Sequence, residues 1–352
     1  MKSARKKFSI EQAIKTSKFN YVKNFKWFLI APIMIAVVGM ILLFTIGFNT
    51  GIDFTGGTII QVVPVESQYN LNNQDDYNVV KSKVDSVLSV YEITGSMYQT
   101  SETDVGLAIL VRYKDIDGKT DAEMNAINDQ VISALRTEFG FSEHDVPQRI
   151  SGNQRIGATA SSELIMNVFL AILVSVALIL IYIVFRFEFT SGMATILTIF
   201  HDVIITASLM LILRVQINAS FVAALITVVG YSINNTIIIF DRIRENSIKP
   251  QYAEASNAEI ANVSIKETMM RSINTTLTTL LTISMVAIIG VDAIREFAIP
   301  ILVGIMAGFY SSVFIAPSLW VVAYKKGQWK FKWFKKDSKP EDGKKKKEEL
   351  VV

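Results

Sequence analysis

The stretch Leu164–Phe185 reads LIMNVFLAILVSVALILIYIVF and contains no charged residue. At ~1.5 Å of rise per residue, a helix of this length matches the ~30 Å hydrocarbon core of a bilayer. Lipid offers the backbone no hydrogen bonds, so such a run predicts a transmembrane helix that satisfies its own amides. Working outward, five runs of similar character follow: Trp27–Ile46, Met193–Leu213, Phe221–Phe240, Thr275–Val291 and Phe297–Tyr324. The run at Thr275 is the least apolar, being rich in threonine and starting beside Arg271. The mean hydropathy of +0.37 is high, yet 19% of the 352 residues are charged, so the polar part is concentrated between and beyond the runs. Trp27–Ile46 is too long for the apolar part of a cleaved leader. Ile46-Gly47-Phe48-Asn49 is not a small-residue cleavage site, so a retained anchor is expected.

Lysines and arginines in the flanks set the expected orientation. The N-terminal segment carries Lys2, Arg5, Lys6, Lys7, Lys15, Lys18, Lys23 and Lys26, and the C-terminal segment ends in Lys344–Lys347. Both termini are therefore expected in the cytoplasm, as an even number of spans permits. The segment between the first two spans then lies outside; it has roughly twice as many acidic as basic residues. The expected division is a basic N-terminal segment 1–26, a first span 27–47, an external domain 48–160, spans two to six over 161–324, and a basic tail 325–352. In that tail Trp329, Trp333 and Phe334 alternate with lysines, a composition suited to an anionic lipid surface rather than nucleic acid.

Within the external segment the pattern changes to alternation. Thr58–Val65, Ser96–Ser101, Gly106–Tyr113 and Pro147–Ile156 read as strands, with helices at Asp75–Val90 and Asp121–Phe139. The order strand–helix–strand–strand–helix–strand predicts a ferredoxin-like α+β sandwich. The expected fold class is thus an all-α polytopic membrane bundle of six transmembrane helices with an inserted ferredoxin-like α+β extracytoplasmic domain. Between spans four and five, Glu254–Met270 reads as a helix lying along the membrane surface.

Several residues carry candidate chemistry. His201 and Asp202 fall inside the third run. An ionisable residue there costs about 2.5–3.5 kcal/mol on insertion scales, so it faces protein or a wet cavity. An apolar surrounding disfavours the charged carboxylate, which makes proton uptake and release possible in principle; the bland alternative is a neutral Asp202 acting as interhelical glue. Gly51, Gly56 and Gly57 surround Asp53 and Phe54 just after span one, reading as a rigid hinge between span and domain. Gly304, Gly308 and Ser312 recur every four residues in the last run, a small-residue stripe for close helix approach. The chain has no cysteine and two histidines, and lacks a Walker loop, a metal-ligand cluster and a nucleophile–base arrangement. No catalytic residue, metal or cofactor is expected.

Four stretches resemble the SecF family, the smaller half of the bacterial SecD–SecF secretion complex. Gly51-Ile52-Asp53-Phe54-Thr55-Gly56-Gly57 is similar to its G-x-D-F-x-G-G motif. His201-Asp202-Val203 lies inside span three. Gly230-Tyr231-Ser232-Ile233-Asn234-Asn235 leads into Phe240–Asn246, and Arg271–Leu280 opens span five. The start of span six, Arg295-Glu296-Phe297-Ala298, fits as well. The resemblance implies the resistance–nodulation–division type of fold and a bundle completed by SecD beside the SecYEG channel. It implies coupling to a proton or sodium gradient and promotion of late preprotein translocation after SecA has acted. YajC and YidC join SecD, SecYEG and anionic lipids as expected partners. The bacterial cytoplasmic membrane is the expected location. By the same resemblance Asp202, Asn235, Arg271, His201 and Thr275 make up an ion pathway. The sequence departs from the family at Asn235, where the usual motif reads S-I-N-D and the aspartate carries the proton. A carboxamide takes up no proton near neutral pH, although its oxygen ligates hard cations. Three readings stay open: Asp202 or a SecD carboxylate carries the proton, sodium is the coupling ion, or coupling is weak or lost. The alternatives in function are a half-transporter of the same superfamily exporting a small molecule or lipid, and an ion-independent scaffold of the channel.

Overall fold

The computed structural model describes residues 12, 14, 17 and 19–323, apart from 104–105, 143–148 and 290–291. The expected basic tail 325–352 and most of the basic N-terminal segment lie outside the described residues. The first long helix, α1 (Phe25–Thr45), leads through a single helical turn, Ile52–Thr55, into strand β1 (Gly57–Val62). Helix α2 (Gln74–Val90), strands β2 (Met97–Thr103) and β3 (Gly106–Tyr113), helix α3 (Asp121–Phe139) and strand β4 (Ile150–Ile156) complete an external domain. Its sheet is antiparallel, in the order β2-β3-β1-β4. The strand and helix order is the expected one.

Local chemistry explains these elements. Thr120 and Glu123 form a reciprocal capping box at the start of α3, and Gly140 ends that helix in the left-handed region. Asn73 caps α2 by accepting from the Asp75 amide. Alternate residues of β1 and β3, among them Ile60, Val62, Ile109 and Val111, pack with Val80, Val84, Leu88, Val131 and Leu135 of the two helices into one core. A buried polar chain crosses it: the Tyr113 hydroxyl donates to Asn128 Oδ1 (2.8 Å) and Asn128 Nδ2 donates to Thr58 Oγ1 (2.9 Å).

The chain then enters α4 (Ala158–Arg186), α5 (Phe189–Ile212), α6 (Ala219–Ser247), α7 (Asn257–Ile289) and α8 (Asp292–Tyr310). One π-helical turn, Ser311–Ile315, joins α8 to α9 (Ala316–Ala323). Among the described residues six helices are thus long and apolar enough to cross a membrane: α1, α4, α5, α6, α7 and the α8–α9 run. In α4 and α7 the most apolar window is 6% and 11% buried, against 44%, 50% and 61% in α5, α6 and the last helix. The last three form the centre, and α1, α4 and α7 turn most of their apolar surface outward. Close packing at the centre uses small residues. A Cβ on Gly304 would stand 2.2 Å from Val228 Cγ2, and one on Gly308 would stand 2.9 Å from Ser232 Cβ.

One expectation is corrected. Glu254–Met270 is not a separate surface helix, because α7 runs unbroken from Asn257 to Ile289 for 33 residues. No proline or glycine interrupts it. At ~1.5 Å per residue it is about 50 Å long, so it crosses the bilayer and projects beyond it. The projecting part is held by Ile260, Ala261, Ile265 and Met269, which pack with Ile239, Phe240, Ile243 and Trp320.

Candidate ion site and its link to the external domain

Asp202 lies midway along α5, by ~1.5 Å per residue about 20 Å from Phe189 and about 15 Å from Ile212. It is fully buried. Its Oδ1 lies 2.9 Å from His201 Nδ1. Its Oδ2 accepts from the Ser311 hydroxyl at 2.9 Å and from the Ser232 hydroxyl. Three helical elements therefore converge on one carboxyl group: α5, α6 through Ser232, and the π turn through Ser311. The contact with His201 is satisfied in two ways, by an imidazole N–H donating to a carboxylate or by a neutral carboxyl O–H donating to the ring nitrogen. His201 Nε2 is buried and has no hydrogen-bond partner among the described residues.

The polar cluster extends one turn along α6. Thr236 Oγ1 and Ser312 Oγ are 2.8 Å apart, and Ser312 Oγ donates to the Ser232 carbonyl at 3.4 Å. Asn235 is 1% exposed, and neither its Oδ1 nor its Nδ2 has a hydrogen-bond partner among the described residues. Ser272 Oγ, on α7, is likewise buried without one. The Tyr231 hydroxyl reaches Thr276 Oγ1 at 3.4 Å, linking α6 to α7. Arg271 and Thr275 are placed elsewhere: both are exposed on the outward side of α7, and Thr275 Oγ1 returns to the Arg271 carbonyl at 2.9 Å. The structure thus brings together Asp202, His201 and Ser232, keeps Asn235 buried on the same helix as Ser232, and sets Arg271 and Thr275 on a face open to a neighbour. Ser311 escaped sequence reasoning. The doublet Ser311-Ser312, three and four residues after Gly308, was the available signal, but one register of an α-helix cannot aim both hydroxyls inward; the π turn does.

At the domain-side end, the glycine motif grips α6 rather than its own span. The Gly51 amide donates to the Ile217 carbonyl and the Ile217 amide donates to the Asn49 carbonyl, both at 2.8 Å. Asp53 Oδ2 accepts from the Ala219 amide at 2.9 Å, and Asn218 Oδ1 accepts from the Phe221 amide at 2.9 Å. Two amides at the start of α6 are thereby capped, one by a residue 166 positions away. Phe54 packs with Met210, Phe221 and Val222. Gly56 and Gly57 both have positive φ, and a Cβ on Gly57 would fall 2.3 Å from the Tyr113 carbonyl oxygen, so the backbone passes where no side chain fits. The domain is tied to the last span as well: Arg112 of β3 lies 3.8 Å from Glu296, whose other oxygen accepts from Asn218 Nδ2 at 2.6 Å.

Burial holds the Arg112 guanidinium below its ordinary value, and Glu296 offsets that in part. Among the described residues no group of three or more His, Asp or Glu side chains is arranged to hold a metal ion.

Comparison with known proteins accounts for these features. Residues 128–326 match the family model for the C-terminal part of the protein export membrane proteins SecD/SecF, and residues 41–63 match the SecD/SecF GG motif. Similar relatives include the protein translocase subunit SecF of Acidaminococcus fermentans, 34% identical over 88% of this chain and 98% of that one. Another is the translocase subunit SecDF of Thermus thermophilus, 32% identical over 88% of this chain but 39% of its own length. The crystal structure of the Thermus SecDF superposes with a TM-score of 0.68 at 29% identity, covering 88% of this chain and 39% of that one. A SecDF crystal structure in a super-membrane-facing form gives a TM-score of 0.54 at the same identity, over 87% and 39% of the two chains. The glycine motif capping span four, the buried polar centre and the six-span bundle with its inserted sandwich therefore have one explanation: the chain belongs to the SecD/SecF family of protein-export membrane proteins, within the resistance–nodulation–division superfamily.

Proposed function

We propose that this chain is a subunit that couples ion movement at Asp202 to displacement of its external domain, and so promotes late preprotein translocation. The carrying observation is a fully buried mid-span carboxyl group hydrogen-bonded from three helical elements. A group so placed reports its protonation state to all three at once. The path outward is α6, whose Ser232 touches Asp202 and whose first turn is capped by Asp53. Moving one charge through 100 mV releases about 2.3 kcal/mol, which shifts a two-state equilibrium roughly 50-fold. One ion per cycle therefore suffices to bias the position of the domain without covalent chemistry.

The partners in this reading are SecD, SecYEG with SecA, and the emerging preprotein. Both termini are cytoplasmic, and the segments divide at 26, 47, 160 and 324. SecD covers the outward side of α7, because Arg271, Asn274, Thr275, Thr278 and Thr282 are exposed there and an arginine is costly against lipid. The ion is a proton carried by Asp202, with Asn235, His201, Arg271 and Thr275 lining or biasing its route. In vesicles containing the assembled complex, Asp202→Asn abolishes gradient-dependent release of a preprotein while leaving assembly intact. Release unchanged in that variant removes Asp202 as the carrier. Release that depends on sodium in the parent, and on protons in Asn235→Asp, transfers the role to position 235.

A further inference from the structure

A cavity of about 400 Å³ lies where the external domain meets the domain-side ends of the spans, lined by Asn49, Met97, Tyr98, Gln99, Arg112 and Arg214. Asn49 follows α1 by four residues and Arg214 follows α5 by two, so its floor is at the height where spans leave hydrocarbon. Its wall is the helix-free face of the sheet: Met97 pairs with Arg112, and Gln99 with Leu110. Arg214 holds one side in an uncommon backbone conformation, with φ of 56°, while its Nη1 donates to the Gly47 carbonyl at 2.7 Å and its own carbonyl accepts from Asn49 Nδ2 at 3.1 Å. Arg112 is the other charge. Its side chain is 12% exposed, Glu296 is 3.8 Å away, and its Nε has no hydrogen-bond partner. A guanidinium so poorly repaid for burial, beside a second guanidinium, is a site short of one anion. Planar N–H pairs suit an oxyanion that accepts two bonds at once.

We infer that this cleft binds the phosphodiester of an anionic phospholipid from the leaflet on the domain side. Arg112 and Arg214 grip the phosphate, Gln99 and Asn49 reach the remaining headgroup oxygens, and Met97 lies along the glycerol. A bound headgroup would bridge β3 to the ends of spans one and three and so hold the domain against the bundle.

The test counts short-chain phosphatidylglycerol bound to the full chain in detergent by native mass spectrometry, with inorganic phosphate as a competing probe. Arg112→Gln/Arg214→Gln and Arg214→Gln alone are compared with the parent, and Lys119→Gln controls for lost charge on the same domain. The expected result is one tight lipid on the parent and on the Lys119 variant, weakened on the order of tenfold by either arginine change. Because Arg214 is exposed and its loss leaves the Arg112–Glu296 contact in place, the single variant separates binding from misfolding. Inorganic phosphate displacing the lipid at equal concentration would reassign the site to a free anion. Equal lipid binding by the parent and both variants would overturn the inference.

Discussion

Removal of the Asp53 carboxylate tests whether the glycine motif restrains span four or merely ends span one. Asp53 Oδ2 accepts from the Ala219 amide at 2.9 Å, at the first residue of α6. Asp53→Ala removes an acceptor worth about 0.5–2 kcal/mol at a helix start. It also removes a negative charge at the positive end of the helix dipole, worth about 0.3–1 kcal/mol. The sum, about 1–3 kcal/mol, raises the local opening equilibrium of the first turn roughly 5- to 150-fold. Asp53→Asn keeps an acceptor oxygen and loses the charge, so its effect is about 2- to 5-fold. The readout is amide hydrogen exchange of the full chain in nanodiscs, on peptides covering residues 214–226. Peptides from α3, which is capped independently by Thr120 and Glu123, serve as the internal reference. Faster exchange in the order parent, Asn, Ala is expected. Parent-like exchange in Asp53→Ala would refute the cap, and equal exchange in Asn and Ala would reduce it to charge alone.

Gly304→Ala forces a Cβ to within 2.2 Å of Val228 Cγ2 and costs about 1–3 kcal/mol by overpacking; thermal unfolding in detergent shows the loss, and Val228→Ala in the same chain, which removes both Cγ atoms but keeps a Cβ 2.9 Å away, restores part of it. Ser311→Ala takes one hydroxyl donor from Asp202 and destabilises by about 1–3 kcal/mol at neutral pH, an effect expected to shrink when Asp202 is also changed to Asn, as a double-mutant cycle on unfolding midpoints measures. Glu123 has its carboxyl held below the ordinary 4.5 first by the Thr120 amide, so the stability it lends is present above 4.5 and disappears as pH falls through the lowered value. Glu123→Gln should flatten that dependence when pulsed exchange of the first turn of α3 is compared with the parent at each pH.

Much of this architecture was legible because it is written locally. Apolar runs of bilayer length gave the six spans, and period-two alternation interleaved with helical spacing gave the sandwich and its order; the caps Asn73, Thr120 and Gly140 emerged with the structure. Span limits were less legible. Polar Asp241–Ser247 continues α6, and Asn257–Met270 continues α7, because salt bridges replace lipid as the stabilising surroundings there: Arg242 Nε pairs with Glu267 at 2.7 Å across the two helices. Of the candidate ion site, Asp202 announced itself by its cost in a membrane. Its partners did not, since Ser232 and Ser311 are 30 and 109 positions away and serines are unremarkable in apolar helices. The Asp53 cap was similarly hidden, for nothing near Asp53 in sequence reveals that the acceptor serves an amide at Ala219.

The choice of serines around Asp202 bears on how a mid-membrane carboxyl group can change protonation state. A lysine or arginine partner would stabilise the ionised form alone. A hydroxyl donates to a carboxylate and accepts from a carboxylic acid with equal ease, and imidazole has the same double character through its two nitrogens. Ser232, Ser311 and His201 therefore offer Asp202 partners on both sides of a proton transfer, so neither state leaves this carboxyl group with an unmade bond costing about 1–3 kcal/mol, although His201 Nε2 is unpartnered among the described residues. Asn235 stands in the opposite situation, with both amide atoms buried and unpartnered among the described residues. Under the proposed reading the proton is held where the partners adapt, at position 202. Position 235 instead carries a deficit that a polar group of a neighbouring subunit would relieve, which gives α6 a reason to engage that neighbour through the helix that also feels the proton.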